Sequence, residues 1–555
     1  MKLIECVPNF SEGINTSIIK TITDEINNVD KVDLLDVDQG KDTNRTVVTF
    51  VGEPNAVITA AFNAIKKASE LIDMRLHKGA HPRMGATDVC PIIPIKNVSI
   101  DECIKYSIQL AKKVGKDLNI PVYLYEESAT TSNRKNLADI RKGEYEGMAD
   151  KLSLPGWMPD FGPAILNLKS GVTAIGVRNF LVAYNINLNT KDKKHATDIA
   201  LDIREAGRAR RDSKGKIIRY KDGRMKKKPG SLKCTKAVGW YIDEYQKAQV
   251  SMNLTNYLVT PVHIAFEEVR KEARKRGLRV TGSEIVGLVP KKSLIDAGIY
   301  YLQNQGRSIS IPEKDIIHIA VESLGLNDLS KFDENSNIIE YKMNNNSQTL
   351  SSLNVVDFIN EVSIDSPAPG GGSVSALAGA LSASLTSMVS NLSFGKKKYK
   401  DKNSSYEKIG CKAQLIKDKL IILIDKDTEA FNMIMCAYKL PKKTDDQLKH
   451  RKEMIQSATK HAIDIPFSIM ELSFMSLKLS SKIAKIGNEN SLSDSGVASE
   501  LSFSSLNGAY MNVLINMKDL DDENYKKKIL YKSKMIVEKA NKVIETSRKY
   551  IYKNL

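Results

Sequence analysis

Cysteine is scarce in this 555-residue chain: there are six, and no two stand in a CxxC spacing. Cys6, Cys90, Cys103, Cys234, Cys411 and Cys436 are scattered along the chain. That argues against a disulfide framework and a Cys-rich zinc site, and fits a reducing, cytoplasmic compartment. A zincin's Glu is missing between His77 and His81, and no Lys-Ser/Thr follows the glycine run at 370–372, so the zincin and Walker A motifs are both absent. The stretch MKLIECVPNF lacks the unbroken apolar core of a signal peptide, because Glu5 and Pro8 interrupt it. Between Ser366 and Gly395 there is no charged residue. Length would let that stretch cross a bilayer. Its serines, alanines and Gly379 predict instead a buried helix in close contact with its neighbours.

What is present is ordinary for a globular protein: 42% hydrophobic and 27% charged residues. At roughly 100–200 residues per domain, the length predicts about three or four domains. The formal charge is +17, and residues 208–233 alone hold twelve Lys/Arg against two Asp. The rest of the chain is therefore close to balanced. This is not the footprint of a general nucleic-acid binder. The segment also has no aromatic besides Tyr220 to stack on a base.

Short apolar runs at 3–7, 32–37, 46–51, 89–95 and 122–125 predict strands. Between them, Ile18, Ile19, Ile22 and Ile26 recur at helical spacing, and 56–72 forms another helical pattern. Ser99 with Glu102 makes a capping box, opening a helix that ends near Leu118. The βαββαβ-like order predicts a sheet layered with helices. A Gly/Pro loop at 161–171 ends this unit. A second mixed unit follows, with strands at 180–187 and 248–253 and helices at 196–205 and 261–276; residues 282–289 lead into another helix, and 338–341 close this half. After a polar, Asn-rich linker the pattern is helical from 352 to the end. The expected domains are 1–180, 181–342 and 351–555, with 343–350 as linker. No internal repeat is evident.

Five clusters carry chemistry. His77 and His81 are four apart, but Gly79 and Pro82 argue against a helix. His81 reads as a cleft-facing proton relay or as a packing residue. Asp36 and Asp38 share one strand face, to orient an imidazole or to cap a turn. The run 162–171 reads as a binding loop or a connector. Gly370, Gly371, Gly372 and Ser373 open the charge-free helix. They offer backbone N–H groups to an anion, or they let the backbone approach a neighbour closely. Asp425, Asp427 and Glu429 read as a solvated helix face, or as a group in which repulsion raises one pKa for proton exchange.

Together these segments resemble a known family. CVPNFSEG (6–13), LLDVD (34–38), TNRTVVTFVG (43–52), LIDM (71–74), HPRMGATDVCP (81–91), PVYLYEE (121–127), PDFGP (159–163), VGWYIDEYQKAQVSMNL (238–254) and GSEIVGLVP (282–290) look like glutamate formimidoyltransferase. SPAPGGGSVSAL (366–377), DKDTEAFN (425–432), LPKKT (440–444) and GAYMNVLIN (508–516) look like formimidoyltetrahydrofolate cyclodeaminase. The resemblance implies two α/β, ferredoxin-like sheet-and-helix subdomains followed by an all-α domain. It implies transfer of a formimino group from N-formimino-L-glutamate to tetrahydrofolate, then cyclodeamination to 5,10-methenyltetrahydrofolate and ammonia. The family's catalytic His falls on His81, its supporting Asp on Asp38, and its cyclodeaminase acid on Asp427. Its folate loop falls on Gly162, Pro163, Ala164, Ile165, Leu166, Asn167, Leu168, Lys169, Ser170 and Gly171. Residues 164–169 lack the aromatic and proline residues typical of animal members.

The resemblance further implies tetrahydrofolate as co-substrate, no metal and a homo-oligomer; the composition of 366–395 and of the basic segment leaves neither a membrane nor a nucleic acid as the expected partner. The basic segment then reads as an attractor for anionic glutamate tails of folates, or as a solvated hairpin. Two alternatives compete: a transferase whose helical half is only a dimerising scaffold, and a nucleic-acid-binding protein that uses residues 208–233.

Overall fold

A computed structural model describes residues 2–41, 43–79, 82–344 and 349–555. Residues 345–348 of the expected linker lie outside them. Contacts divide the chain into two units. One is Met1–Ser293 with Leu324–Asn345; the other is Leu294–Ser323 with Asn346–Leu555.

The first unit opens with β1 (Leu3–Cys6) and β2 (Asn9–Phe10), in effect one strand broken at Val7–Pro8. Both pieces pair with the same two neighbours. Pro8 has no N–H to donate, but its carbonyl accepts from Val48 N–H at 3.0 Å. Then come α1 (Thr16–Asn27), β3 (Val32–Gly40), β4 (Arg45–Gly52), α2 (Pro54–Leu71), β5 (Thr87–Lys96), α3 (Ile100–Asp117), β6 (Val122–Glu126), short α4 (Leu137–Arg141) and α5 (Met148–Leu152), and β7 (Thr173–Val177). The capping box of Ser99 and Glu102 opens α3 as expected.

The sheet runs β3-β4-β1/β2-β5-β7-β6, antiparallel except for β5–β7 and β6–β7. Helices α1–α3 cover one face, where Ile4, Cys6, Phe10, Val48, Phe50, Ile92 and Ile175 form the core. β7 has no alternation for a sequence pattern to catch. Its five residues are all buried, as befits a parallel strand covered on both sides.

Next come β8 (Val182–Leu188), α6 (Lys193–Ile203), β9 (Arg208–Ala209), β10 (Lys227–Lys228), β11 (Thr235–Ile242), β12 (Lys247–Leu254), α7 (Val262–Lys275) and β13 (Val280–Val286). The four long strands order as β11-β12-β8-β13, all antiparallel. This repeats the β3-β4-β1-β5 order of the first βαββαβ segment.

The basic segment corrects the expectation that no repeat exists. Arg210 N–H donates to Lys226 O (2.8 Å), Lys226 N–H to Ile218 O (2.9 Å) and Ile218 N–H to Arg210 O (2.9 Å). These residues stand eight apart, so the three bonds close a triangle. Two of its lobes turn at Gly215 and Gly223, with φ of +82° and +83°. In each an Arg reaches back to the glycine carbonyl: Arg211 to Gly215 at 2.7 Å and Arg219 to Gly223 at 2.9 Å. The repeat is hard to see in sequence because it lies in backbone conformation more than in side-chain identity.

The chain continues through α8 (Lys291–Asn304) and α9 (Glu313–Leu324), then short α10 (Glu334–Asn337) and α11 (Ile339–Asn344). Residues 294–323 interrupt the expected 181–342 span. They group with the helical unit, where Ser310 O accepts from Asn391 Nδ2 at 2.7 Å and from Ser387 Oγ at 3.0 Å. That unit then holds α12 (Val355–Ser363), α13 (Gly371–Ser393), α14 (Asn403–Tyr438), α15 (Asp445–Ile486), α16 (Leu492–Asn516) and α17 (Glu523–Asn554). Among the described residues α13 alone is long and apolar enough to cross a membrane, yet most of it is buried against the other helices. Its buried serines bond their neighbours: Ser373 to Ile424 O, Ser382 to Ser476 and Ser502. Small residues there let backbones approach, and these hydroxyls find partners inside the bundle, whereas Ser390 Oγ finds none among the described residues.

Candidate active sites

Strand register assembles the first site. In antiparallel pairs, directly opposed residues share a face. Asp38 opposes Val47, Asp36 opposes Thr49, Val47 opposes Asn9, and Val51 opposes Glu5. Arg45 is two residues before Val47. Asp36, Asp38, Arg45, Asn9 and Glu5 therefore all stand on the sheet face turned away from α1–α3.

Two of these side chains carry polar atoms that find no partner among the described residues: Glu5 Oε2 and Arg45 Nε. Glu5 is 1% exposed, and burial pushes its carboxyl up to about 7 against the opposing pull of Arg178. Burial likewise lowers the Arg45 guanidinium, while the charges of Asp88 and Asp38 raise it. Asp38 itself is exposed. Of these five residues only Asp36 and Asp38 stood out in the sequence; Glu5, Asn9 and Arg45 join them through strand register. The available signal was alternation in LIEC, which sets Glu5 opposite to Ile4 and Cys6.

His81 lies outside the described residues. The chain before and after it is pinned. His77 Nδ1 accepts from Arg83 Nε at 3.4 Å, so its Nε2 carries the proton and donates to Asn44 O at 2.9 Å. Arg83 is a clamp, held by Glu144 (2.9 Å) and Glu146 (2.7 Å). Its guanidinium pKa is raised, chiefly by the Glu146 hydrogen bond.

The expected folate loop is zipped to the same motif. Ala86 N–H donates to Ser170 O (2.8 Å), Val172 N–H to Met84 O (2.9 Å) and Met74 N–H to Lys169 O (2.8 Å). Gly162 and Gly171 have φ of +83° and +71°, and a Cβ at either would strike neighbouring backbone. Between these anchors Ile165 and Leu168 stand 76% and 63% exposed, and Leu76 nearby in the chain order of the clamp is 79% exposed. Apolar side chains held out on an anchored loop suit a flat heteroaromatic ring. Replacing Ile165 and Leu168 together by Ser is expected to raise the KM for tetrahydrofolate by about 10- to 30-fold with kcat little changed, since the loss is of uniform apolar contact. Steady-state kinetics in tetrahydrofolate checks this.

The second site is in the helical unit. Gly370 caps α13 but has no side chain with which to accept an N–H. Asp427, on α14, supplies the acceptor: its carboxylate takes the backbone N–H of Ser373 and faces Ser373 Oγ at 3.4 Å. It lies so close over Gly372 that a Cβ there would overlap it. The anion at this helix end is thus the protein's own carboxylate. Gly372 and Ser373 are buried beneath it, while Gly371 is exposed and Gly370 half-buried.

The cause expected for a raised pKa at Asp427 needs correction. Asp425 turns to Ser351, accepting its N–H at 3.1 Å, and Glu429 is exposed, so the three carboxylates do not face one another. Burial raises the Asp427 carboxyl, and the Ser373 hydrogen bonds oppose it. A helix end favours a carboxylate by ~0.3–1 kcal/mol. Desolvating one costs roughly several kcal/mol. Desolvation therefore wins, and the carboxyl is held above the ordinary Asp range. Among the described residues no group of three or more His, Cys, Asp or Glu is placed to hold a metal ion.

A polar sheet face with an anchored apolar loop in one unit, and a buried carboxyl at a glycine turn in the other, are the arrangement of a two-part enzyme. Comparison with known proteins agrees. Family profiles match residues 3–178 (formiminotransferase domain, N-terminal subdomain), 183–344 (formiminotransferase domain) and 354–534 (formiminotransferase-cyclodeaminase). The formimidoyltransferase-cyclodeaminase of Rattus norvegicus is 40% identical over 97% of this chain and 97% of its own. The glutamate formimidoyltransferase of Streptococcus pyogenes serotype M1 is 43% identical over 54% of this chain and 94% of its own. The methenyltetrahydrofolate cyclohydrolase of Methylorubrum extorquens is 38% identical over 30% of this chain and 81% of its own. The chain belongs to the formiminotransferase-cyclodeaminase family.

Proposed function

We propose that this chain performs two successive steps on one tetrahydrofolate. In the first, N5 attacks the amidine carbon of N-formimino-L-glutamate, the carbon–nitrogen bond to glutamate breaks, and the N5 proton ends on the glutamate amine. His81 carries that proton, and Asp38 orients the imidazole and steadies its cationic form. In the second, N10 closes on the same carbon. The N10 proton passes through Asp427 to the departing nitrogen, which leaves as ammonia. The observation that carries this reading is end-to-end similarity to a fused relative, and the buried Asp427 carboxyl at the glycine turn supports the second step.

The test is direct. Purified protein given N-formimino-L-glutamate and tetrahydrofolate is expected to form the methenyl chromophore and equimolar ammonia. Transfer without ammonia would reduce the helical half to a scaffold, and hydration of supplied 5,10-methenyltetrahydrofolate to 10-formyltetrahydrofolate, with no ammonia released from the formimino intermediate, would make it a cyclohydrolase.

The strand orders of the two βαββαβ segments support the finer ferredoxin-like reading of each. A homo-oligomer is supported by α13, where Val374, Leu381 and Met388 recur at sevenfold spacing and are 41%, 50% and 37% exposed. Such a stripe fits a second copy of the chain. Sedimentation as a multimer is expected, and a monomer at micromolar concentration would refute it. Six free thiols suit a cytoplasmic location.

A further inference from the structure

α13 and α16 lie antiparallel along a seam of small residues. Ser382 meets Ser502, Ser505 Oγ donates to Ser375 O at 2.6 Å, and a Cβ on Gly508 would overlap Ser375 Oγ. The seam ends at the glycine turn that holds Asp427. There Asn512 stands beside Gly371, its Nδ2 3.2 Å from where a Cβ would be. Asp427 and Asn512 therefore brace two adjacent residues of one turn, Gly372 and Gly371.

The orientation of the Asn512 amide is settled by chemistry. Its Nδ2 donates to Gly508 O, one turn back, at 2.9 Å. A backbone carbonyl only accepts, so the NH2 group must face it and Oδ1 must point elsewhere. Oδ1 accepts no hydrogen bond among the described residues. The surroundings are open: Gly371 is exposed, Asn512 half-buried and Met511 67% exposed. An acceptor fixed by its own helix, open to the outside and without a partner among the described residues, stands at the turn that Asp427 braces and is matched to a substrate donor.

We propose that Asn512 binds the substrate in the cyclodeaminase step, its Oδ1 accepting an N–H of the amidinium so that the amidine carbon faces N10. The proposal rests on the assignment of that step to Asp427. In the reaction the N10–carbon bond forms and the carbon–NH2 bond breaks. The two amidinium hydrogens and the N10 proton leave together as ammonia, and the positive charge stays on the methenyl product. A neutral amide oxygen orients the cation without placing a second carboxylate against Asp427. It keeps one N–H bond through closure while Asp427 moves the proton.

The test uses the full-length chain and supplied 5-formimidoyltetrahydrofolate, with ammonia release and formimino transfer measured separately. Asn512→Ala is expected to lower kcat/KM for ammonia release by about 10- to 100-fold, the range for one hydrogen bond to a charged group, and to leave transfer unchanged. Asn512→Asp, nearly isosteric, keeps an acceptor but loses the donor to Gly508 O and adds a charge near Asp427, so it is expected to recover part of the activity lost in Asn512→Ala at alkaline pH, with a new acid limb where its own carboxyl protonates. If Asn512→Ala acts normally while Asp427→Asn is inactive, the assignment of Asn512 is wrong and that of Asp427 survives. If Asp427→Asn releases ammonia normally, the underlying site is wrong. Equal losses in both Asn512 variants, with an unchanged pH profile, would reduce Asn512 to a packing residue. Asn512→Asp also carries the test should the alanine variant not assemble.

Discussion

Asp427→Asn is expected to slow ammonia release by about 100- to 10,000-fold, the usual worth of a positioned acid–base group, and to leave formimino transfer within about twofold. The amide fills the same space and still accepts from Ser373, so the helix end stays capped. What is lost is the ability to take the N10 proton and give it to the departing nitrogen. The pH dependence has a definite sign. The working carboxyl must be ionised to accept a proton, so the rate falls as pH drops through its pKa. Burial places that pKa above the ordinary Asp value of 3.8, and the acid limb shifts upward with it. Gly372→Ala approaches the same point sterically. Its Cβ would occupy the carboxylate's seat, leaving Asp427 in the chain but displaced. Coupled ammonia detection on supplied 5-formimidoyltetrahydrofolate measures both variants. Normal release by Asp427→Asn would refute the mechanism.

His81→Ala is expected to reduce formimino transfer by a similar factor of about 100 to 10,000, with ammonia release from supplied intermediate intact. Both proton movements of the transfer fall on one imidazole: off N5 as the bond forms, and onto the glutamate nitrogen as it leaves. No other His in the motif can substitute, because His77 is committed to Asn44 O and Arg83. Loss of the Asp38 carboxylate is expected to cost less, since that side chain is exposed and water screens it. Transfer within tenfold of wild type by His81→Ala would remove the imidazole from the reaction. The two variants mixed together are expected to restore the full sequence, each supplying the step the other lacks.

Much of the local structure was legible from neighbouring residues. The Ser99–Glu102 box, the isoleucine spacing of α1 and the apolar runs of β3 and β4 all depend on residues a few positions apart. β7 was not legible, because a strand buried on both faces has no polar partner pattern to announce it. Nor was the triangle at 210, 218 and 226, whose repeat is written in hydrogen bonds and turn glycines.

The candidate sites divide in the same way. Sequence alone determined the order of the parts: a βαββαβ segment, a second mixed unit whose β11 and β13 went unread, a helical half, a histidine motif, and an acidic cluster distant from a glycine run. Only the folded chain decided that Glu5 and Arg45 share a face with Asp38, that Asp427 lies over Gly372, and that Asn512 reaches the same turn. A group's desolvation and its partners are set by atoms from distant segments, and a linear pattern holds no record of which segments will exclude water together.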